Sequence, residues 1–413
     1  MQASEQYRNQ TGSFSGVPPL SVGVGYGMIV GCGLFFSVFC VLATYLHLKH
    51  NRIKLTSEFF STAGRDVGVG LTASAIVSSW TWSATILQSC SVTWRYGVSG
   101  SMWYATGASI QILLFGIMSF HLKKYAKNAH TIGEIIYVRW GPTTHKVFIY
   151  FMLLTNLVVV AMLIGGGANA FEIVTGLDKG ITSFFLRLFF FTGSGGLIAT
   201  YASAYLHVAV VCMIMVTFAL QVYWFSPLLG SVDAVYNRLS AVALQSDQTC
   251  IEFGYDPSTQ TCGGVEGNLD GSYLTTRSLD GFFFGVINIV GNFGAVFVDQ
   301  SYWQIAISSR PSSCFKGFIV GGLAWFAIPF CMSTALGLSN VALQLPTNST
   351  EADNGLVAVA SAIAVMGNFG GALLLLQLFM AVSAAGSGQL NAISSIFVYD
   401  IYRRYMNPSA NSE

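Results

Sequence analysis

Nine apolar segments, each long enough to cross a bilayer at about 20 residues per span, constrain what this chain can fold into. They run over Tyr26–His47, Val67–Val92, Ser99–His121, Val147–Val174, Ile181–Thr200, Tyr201–Phe225, Gly281–Ser308, Phe315–Leu343 and Gly370–Ile401. Hydrophobic residues make up 53% of the chain and charged residues only 9%, against about a quarter charged in a soluble domain. A surface facing water cannot be covered with so little charge. The chain is therefore expected to be all-α, a polytopic bundle of membrane helices whose outer faces meet lipid. Formal net charge is +1 with no basic tract, so no nucleic-acid partner is expected.

The first 20 or so residues are polar, which argues against a cleavable signal peptide at the start and for a true first span. Basic residues orient the array. Lys49, Arg52, Lys54 and Arg65 follow the first span; Lys123, Lys124, Lys127, Arg139 and Lys146 follow the third. Arg310 and Lys316 follow the seventh, and Arg403 and Arg404 follow the last. With the N-terminus outside, all of these fall on the cytoplasmic side. The acceptor triplets beginning at Asn9 and Asn348 then land outside and predict glycosylation there. So does the polar loop 227–280, where Cys250 and Cys262 read as a disulfide. The expected organisation is an extracellular tail 1–25, a transmembrane domain 26–408 containing the loop 227–280, and a cytoplasmic tail 409–413. Lys123–Lys146 is too polar to span and is expected to lie as an amphipathic helix along the inner surface.

The seventh segment carries the strongest functional signal. From Gly291 to Arg310 it reads as a membrane helix interrupted on purpose, with Gly291 and Gly294 loosening the backbone near mid-membrane. Asn288, Asn292, Asp299 and Trp303 recur at helical spacing on one face. A carboxylate and two amides are costly in such a helix and mark a solute or ion path. Asp299 is the most embedded acid. It reads as a proton relay or cation holder, with a structural partnership to Gln300, Trp303 or nearby backbone as the alternative.

Two other segments carry polar stripes. In the second, Ser74, Ser78, Thr81, Thr85, Gln88 and Ser89 recur every three or four residues, with Trp80 and Trp82 in the middle. This face either lines a solute path or hydrogen-bonds to other helices. In the last, Ser383, Ser387, Asn391 and Ser394 form a row beside Gly386 and Gly388. Its hydroxyls suit a small cation, or the row is a packing seam. Asp400, beside Arg403 and Arg404, reads as an interfacial ion pair.

Other matches are set aside. Val24-Gly25-Tyr26-Gly27 looks like part of a potassium filter but opens the first span, with no pore helix before it. Gly386-Ser387-Gly388 has no preceding strand and no nearby His, so it is not a nucleophile elbow. His121, His130, His145 and His207 sit near span ends or in the surface helix and read as interfacial. No metal-ligand spacing and no nucleophile–base set is visible, so neither an enzyme nor a bound metal or other cofactor is expected.

Together, Val77-Ser78-Ser79-Trp80-Thr81-Trp82-Ser83-Ala84-Thr85, Asn128-Ala129-His130-Thr131, Gly196-Leu197-Ile198-Ala199-Thr200, Val298-Asp299-Gln300-Ser301-Tyr302-Trp303-Gln304 and Tyr399-Asp400-Ile401-Tyr402 resemble the urea active transporters. These are a branch of the sodium:solute symporter superfamily. The resemblance implies an extra N-terminal helix followed by two inverted repeats of five helices, the second repeat truncated here after core helix eight. Our second, seventh and last spans would be core helices one, six and eight. Solute would bind between the broken helices. An ion would lie between carbonyls near Val77 and Trp80 and the stretch Ala381–Ser387.

The resemblance has departures. Ala384 stands where a sodium site expects a hydroxyl, between Ser383 and Ser387. Phe184–Gly193 looks shortened and holds Arg187. Ile198 stands where relatives tend to carry lysine. The expected function is urea uptake across the plasma membrane by symport, driven by H+ with Na+ as the alternative. The alternative activity is a non-transporting paralogue or fragment, or carriage of another small polar solute. Urea needs amide acceptors and flat walls, which Trp80, Trp82, Gln88, Asn288, Asn292 and Trp303 provide. Val77, Trp80, Asp299, Ser383 and Ser387 are the candidate ion-coupling residues.

Overall fold

A computed structural model describes residues 13, 17–54, 56–192, 195–252 and 262–410. Asn9 lies outside them. Among the described residues the chain is helical, with no strand beyond the isolated bridges Val67–Ser309 and Asn268–Ser278. Helix α1 spans Val22–Asn51, about 45 Å at 1.5 Å per residue. One side packs on its neighbours so closely that a Cβ on Gly33 would sit 2.1 Å from the Phe189 ring. The other exposes Leu34, Phe35, Val38, Val41 and Leu42, as lipid contact requires.

The second segment is two helices, α2 (Val69–Trp80) and α3 (Ser83–Tyr96). Thr81 leaves helical geometry with φ −93° and ψ 82°. Backbone groups freed inside a membrane need partners, and neighbouring side chains supply them. Thr81 Oγ1 donates to the Val77 carbonyl at 2.7 Å, Thr85 Oγ1 to the Trp80 carbonyl at 3.0 Å, and the Trp82 indole to the Ser79 carbonyl at 2.7 Å. Helix α4 (Val98–Tyr125) follows after Gly97. Gly97 has φ 65°, and its missing Cβ lets the Tyr273 carbonyl approach.

Helix α5 (Ile132–Thr175) turns at Gly141, whose φ is 82°. The expected surface helix over 123–146 is thus divided into the end of α4, a non-helical stretch 126–131, a short helix 132–140 and the start of the span. Next come α6 (Lys179–Thr192) and α7 (Leu197–Leu220), the latter extended by a π-turn to Phe225. Gly196, at φ 79°, separates them. Thr200 therefore belongs to α7, and the boundary expected at Thr200/Tyr201 is corrected.

The seventh segment also breaks, into α8 (Leu279–Val298) and α9 (Gln300–Ser308). Gly291 and Gly294 stay helical; the break is at Asp299, with φ −80° and ψ 111°. Its Oδ1 accepts from the Ser301 N–H at 2.8 Å and so caps α9. Glycine is tolerated inside a membrane helix, whereas a new helix start needs an acceptor for its free N–H groups. Helix α10 (Pro311–Met332) lies against α4 and α2, with Gly317 on Thr72, Gly321 on Ile76 and Gly322 on Ile112.

Helix α11 (Leu356–Ser395) contains a reversal at Gly367, φ 61° and ψ −151°. A Cβ on Gly370 would lie 2.1 Å from the Ala362 carbonyl oxygen. Eight residues along a straight helix are about 12 Å apart, so 356–366 folds back on the span that starts near Gly370. The span continues in π-geometry through Ile396–Met406.

Seven helices among the described residues are long and apolar enough to cross a membrane. Nine were expected; the break at Thr81 and the shortness of α6 account for the other two. The chain is an integral membrane protein. Within the loop 227–280, the helix Val232–Ala243 buries Val235, Leu239 and Val242, and Cys250 is disulfide-bonded to Cys262.

Candidate functional site

The two breaks meet around one cavity of about 370 Å³. Trp80, Trp82, Thr85 and Gln88 line it from the first broken pair, Phe284, Asn288, Asn292 and Tyr302 from the second. Tyr104 and Ala108 of α4, Met162 of α5 and Trp325 of α10 close it. Five of the six expected solute-binding residues are thus together. Trp303 is not among them: the helix turns at Asp299, so the one-face spacing fails there. Its indole donates to the Phe297 carbonyl at 3.1 Å and its ring packs on Phe115. Tyr302, its neighbour, takes the place at the cavity.

The amides form an ordered chain. Asn292 Nδ2 donates to Asn288 Oδ1 at 2.6 Å, and Asn288 Nδ2 donates to the Tyr104 carbonyl at 3.4 Å. This chain uses one N–H of each amide, and both amides line the cavity. A larger hollow of 630 Å³ lies by Asp66, Val67 and Arg310. It sits at the start of α2, includes neither Thr81 nor Asp299, and has no indole and only the Asn51 amide in its lining, so it is not the candidate site.

The expected ion-coupling residues divide into two groups. Asp299, fully buried, accepts at Oδ2 from Gln389 Nε2 at 2.7 Å, and Gln389 also donates to Ser301 Oγ at 3.1 Å. Its partners are therefore Gln389 and the Ser301 N–H rather than Gln300 or Trp303. Gln300 instead accepts from the Ile132 N–H at 3.0 Å. Ser387 faces α7: its hydroxyl donates to the Ala384 carbonyl at 2.8 Å and meets Ser203 Oγ at 3.4 Å. Ser383 Oγ is buried with no hydrogen-bond partner. The Val77 and Trp80 carbonyls already accept from Thr81 and Thr85.

The polar stripe of the second segment is not one face, because the break rotates it. Thr85 and Gln88 reach the cavity, Ser74 and Ser89 bond their own helix, and Ser78 Oγ meets His207 Nδ1 at 2.9 Å. Asp400 is not an interfacial pair with Arg403 or Arg404. It is fully buried, with Oδ1 accepting from Thr131 Oγ1 at 2.9 Å and paired with His145 Nε2 at 3.0 Å. His145 and His207 are likewise fully buried rather than interfacial. Asn348 caps the short helix Ser349–Asp353, accepting from the Glu351 N–H at 2.9 Å. Tyr104, Tyr302 and Gln389 were missed by sequence reasoning. Tyr302, three residues past the break at Asp299, offered a local signal; Tyr104 and Gln389, inside continuous helix, offered none.

The profile of the Sodium:solute symporter family matches residues 60–413. Over 402 residues the chain is 50% identical to the urea-proton symporter DUR3 of Oryza sativa subsp. japonica, covering 97% of this chain and 56% of that protein. It is 42% identical to the probable urea active transporter 1 of Schizosaccharomyces pombe, covering 96% and 59%. It is 38% identical to the urea active transporter of Saccharomyces cerevisiae, covering 96% and 53%. The chain thus spans rather more than half the length of these relatives. Among solved structures, a Na+-coupled sialic acid symporter in a substrate-bound outward-open state superposes with a TM-score of 0.66. The two are 13% identical, over 94% of this chain and 75% of that one, which shows the fold.

Proposed function

We propose that this chain, which belongs to the sodium:solute symporter family, carries urea across the plasma membrane by symport with protons. The observation that carries this reading is the amide-bearing aromatic cavity between the two broken helices. Urea is flat, with four N–H donors and one carbonyl. Trp80, Trp82 and Tyr302 offer flat walls, and Gln88 and Asn292 offer carboxamides. The names of the relatives, urea-proton symporter and urea active transporter, support the same solute.

Protons are favoured over sodium by the ligands present. Sodium needs several oxygens around it. Here the Ala384 side chain brings none and its carbonyl accepts from Ser387, as the Val77 and Trp80 carbonyls accept from threonine hydroxyls. Asp299 is a buried titratable group on the break itself, and such groups in membrane segments serve proton paths. Val77, Trp80, Ser383 and Ser387 then act as the frame of the coupling site rather than as cation ligands. The basic clusters favour an N-terminus outside, with the Cys250–Cys262 loop and Asn348 on the same side.

The test is uptake of labelled urea into vesicles holding the protein, with and without an imposed pH gradient. Accumulation above equilibrium only under the gradient is expected. Equilibration without accumulation removes the coupling, and sodium-driven, pH-insensitive accumulation replaces the ion.

A further inference from the structure

His207 lies in the interior of α7, fully buried, where three helices meet. One ring nitrogen, Nδ1, is 2.9 Å from Ser78 Oγ on α2, and the other, Nε2, is 3.3 Å from Gln377 Nε2 on α11. We propose that His207 is a second proton-binding station of the symport cycle, seated between α2 and α11 and read by the solute cavity through α2. This rests on the proton-coupled reading above and adds to it a group which that reading does not use.

The partners support both protonation states. An amide N–H facing Nε2 requires a neutral ring, with Nε2 accepting and Nδ1–H donating to Ser78. Gln377 Oε1 meanwhile is buried with no hydrogen-bond partner. A half-turn of the carboxamide presents that oxygen to Nε2, and an imidazolium then donates at both nitrogens. Buried polar groups are as a rule hydrogen-bonded, and the protonated ring would satisfy this oxygen, which has no partner among the described residues.

The seam between α7 and α11 offers a route. Thr200 bonds Asn391, and Ser203 meets Ser387 at 3.4 Å. The helices are antiparallel there, so four residues on from Ser203 comes His207, and four back from Ser387 comes Ser383. Among the described residues the buried Ser383 hydroxyl has no hydrogen-bond partner. Hydroxyls and amides thus run from His207 toward the end of α7 where Tyr201 bonds Ser308.

No fixed charge competes. Neither α2 nor α11 carries an acidic or basic side chain. α7 itself brings Tyr201, Tyr205 and Cys212, α10 brings Cys314, Lys316 and Cys331, α1 brings Tyr26, Cys32, Cys40, Tyr45, His47, Lys49 and His50, and the short helix Ser57–Thr62 brings Glu58. Among the described residues none of these bonds the ring. Coupling to solute is short-range: Ser78 is two residues before Trp80, which lines the cavity. Solute and proton would then bias the same turn of α2, and each would raise the other's affinity.

The experiment compares the parent, His207→Gln and Gln377→Glu in vesicles, measuring labelled-urea entry across a range of external pH. His207→Gln is expected to let urea equilibrate but to lose accumulation under a pH gradient. Gln377→Glu sets a carboxylate against the ring, favours the imidazolium, and is expected to shift the pH profile to higher pH. A purely structural histidine moves neither. Undiminished accumulation by His207→Gln overturns the proposal. Should that variant fail to fold, an unshifted profile for Gln377→Glu overturns it alone. A parent that moves no urea, or concentrates it without a pH gradient, removes the proposed function and this inference together, and is recognised because the parent itself fails.

Discussion

Trp80, the last residue of α2, packs its indole against Tyr302 of α9 with ring centroids 3.7 Å apart and planes inclined by 33°. Both rings line the cavity, so one aromatic contact ties the two broken helices together at the solute. An aromatic pair adds about 0.5–1.5 kcal/mol beyond its burial. Tyr302→Leu keeps apolar bulk and loses the ring contact. We expect KM for urea to rise about two- to tenfold, as 1.4 kcal/mol per tenfold implies, with folding retained. An unchanged KM would show that urea does not sit on this pair.

Gly107 of α4 exists for the neighbouring amide. A Cβ there would lie 2.2 Å from Asn288 Nδ2. Gly107→Ala must therefore push Asn288 off the Tyr104 carbonyl and disturb its bond to Asn292. A misplaced buried hydrogen bond costs about 1–3 kcal/mol. The expected result is urea affinity weaker by about fivefold or more at normal surface expression, measured by concentration-dependent uptake. Gly107 does not itself line the cavity, so an effect confined to KM would assign it to positioning Asn288.

The long spans were legible because an apolar run of bilayer length has few alternatives. The breaks were legible as events but not as positions. Gly291 and Gly294 drew attention, yet the chain turns where Asp299 caps the next helix, and at Thr81, where hydroxyls and an indole rescue the freed carbonyls. Periodicity cannot show this, since it assumes the helix continues. Trp303 was misplaced for the same reason. Gln389 was missed and His207 misread as interfacial because their partners come from distant segments: Asp299 is 90 residues from Gln389, and Gln377 is 170 from His207. Asp400 looked paired with nearby arginines, but tertiary packing gave it His145, 255 residues away.

Arg310 grips Asp66 with two hydrogen bonds, Nε to Oδ1 at 2.5 Å and an Nη to Oδ2 at 2.8 Å. Beneath it, the Val67 N–H donates to the Ser308 carbonyl at 3.2 Å and the Arg310 N–H to the Val67 carbonyl at 2.9 Å. These tie the start of α2 to the end of α9. The Arg310 hydrogen bonds hold the Asp66 carboxyl below the usual carboxylate range. A lowered value means the ion pair adds stability above the ordinary carboxylate pKa and loses it as pH falls through the depressed value. No change is expected between pH 5 and pH 8, and loosening only below about pH 4. The side chains are 51% and 71% exposed, so salt should mimic acid. Hydrogen exchange at residues 66–72 and 305–312 measures this. Arg310→Gln should raise exchange there modestly at pH 7, and a pH-dependent change near neutrality would contradict the assignment.

The last prediction concerns the buried pair Asp400 and His145. Both side chains are fully excluded from solvent, and Thr131 Oγ1 donates to the same carboxylate oxygen. A Cβ on Gly133 would lie 2.4 Å from that oxygen, so α5 has been thinned to admit it. Removing one member of a buried pair strands the other and costs about 3–5 kcal/mol. His145→Ala and Asp400→Ala should each lower thermal stability in detergent by that order. Removing both leaves neither member stranded by the other, so the double variant should lose clearly less than the sum, although the Thr131 and Tyr405 hydroxyls each lose a partner. Independent sites add to within about 0.5 kcal/mol. Additive losses would therefore mean that Asp400 is held by Thr131 and backbone alone. A sub-additive cycle would establish that this pair joins the start of α5 to the end of the last span.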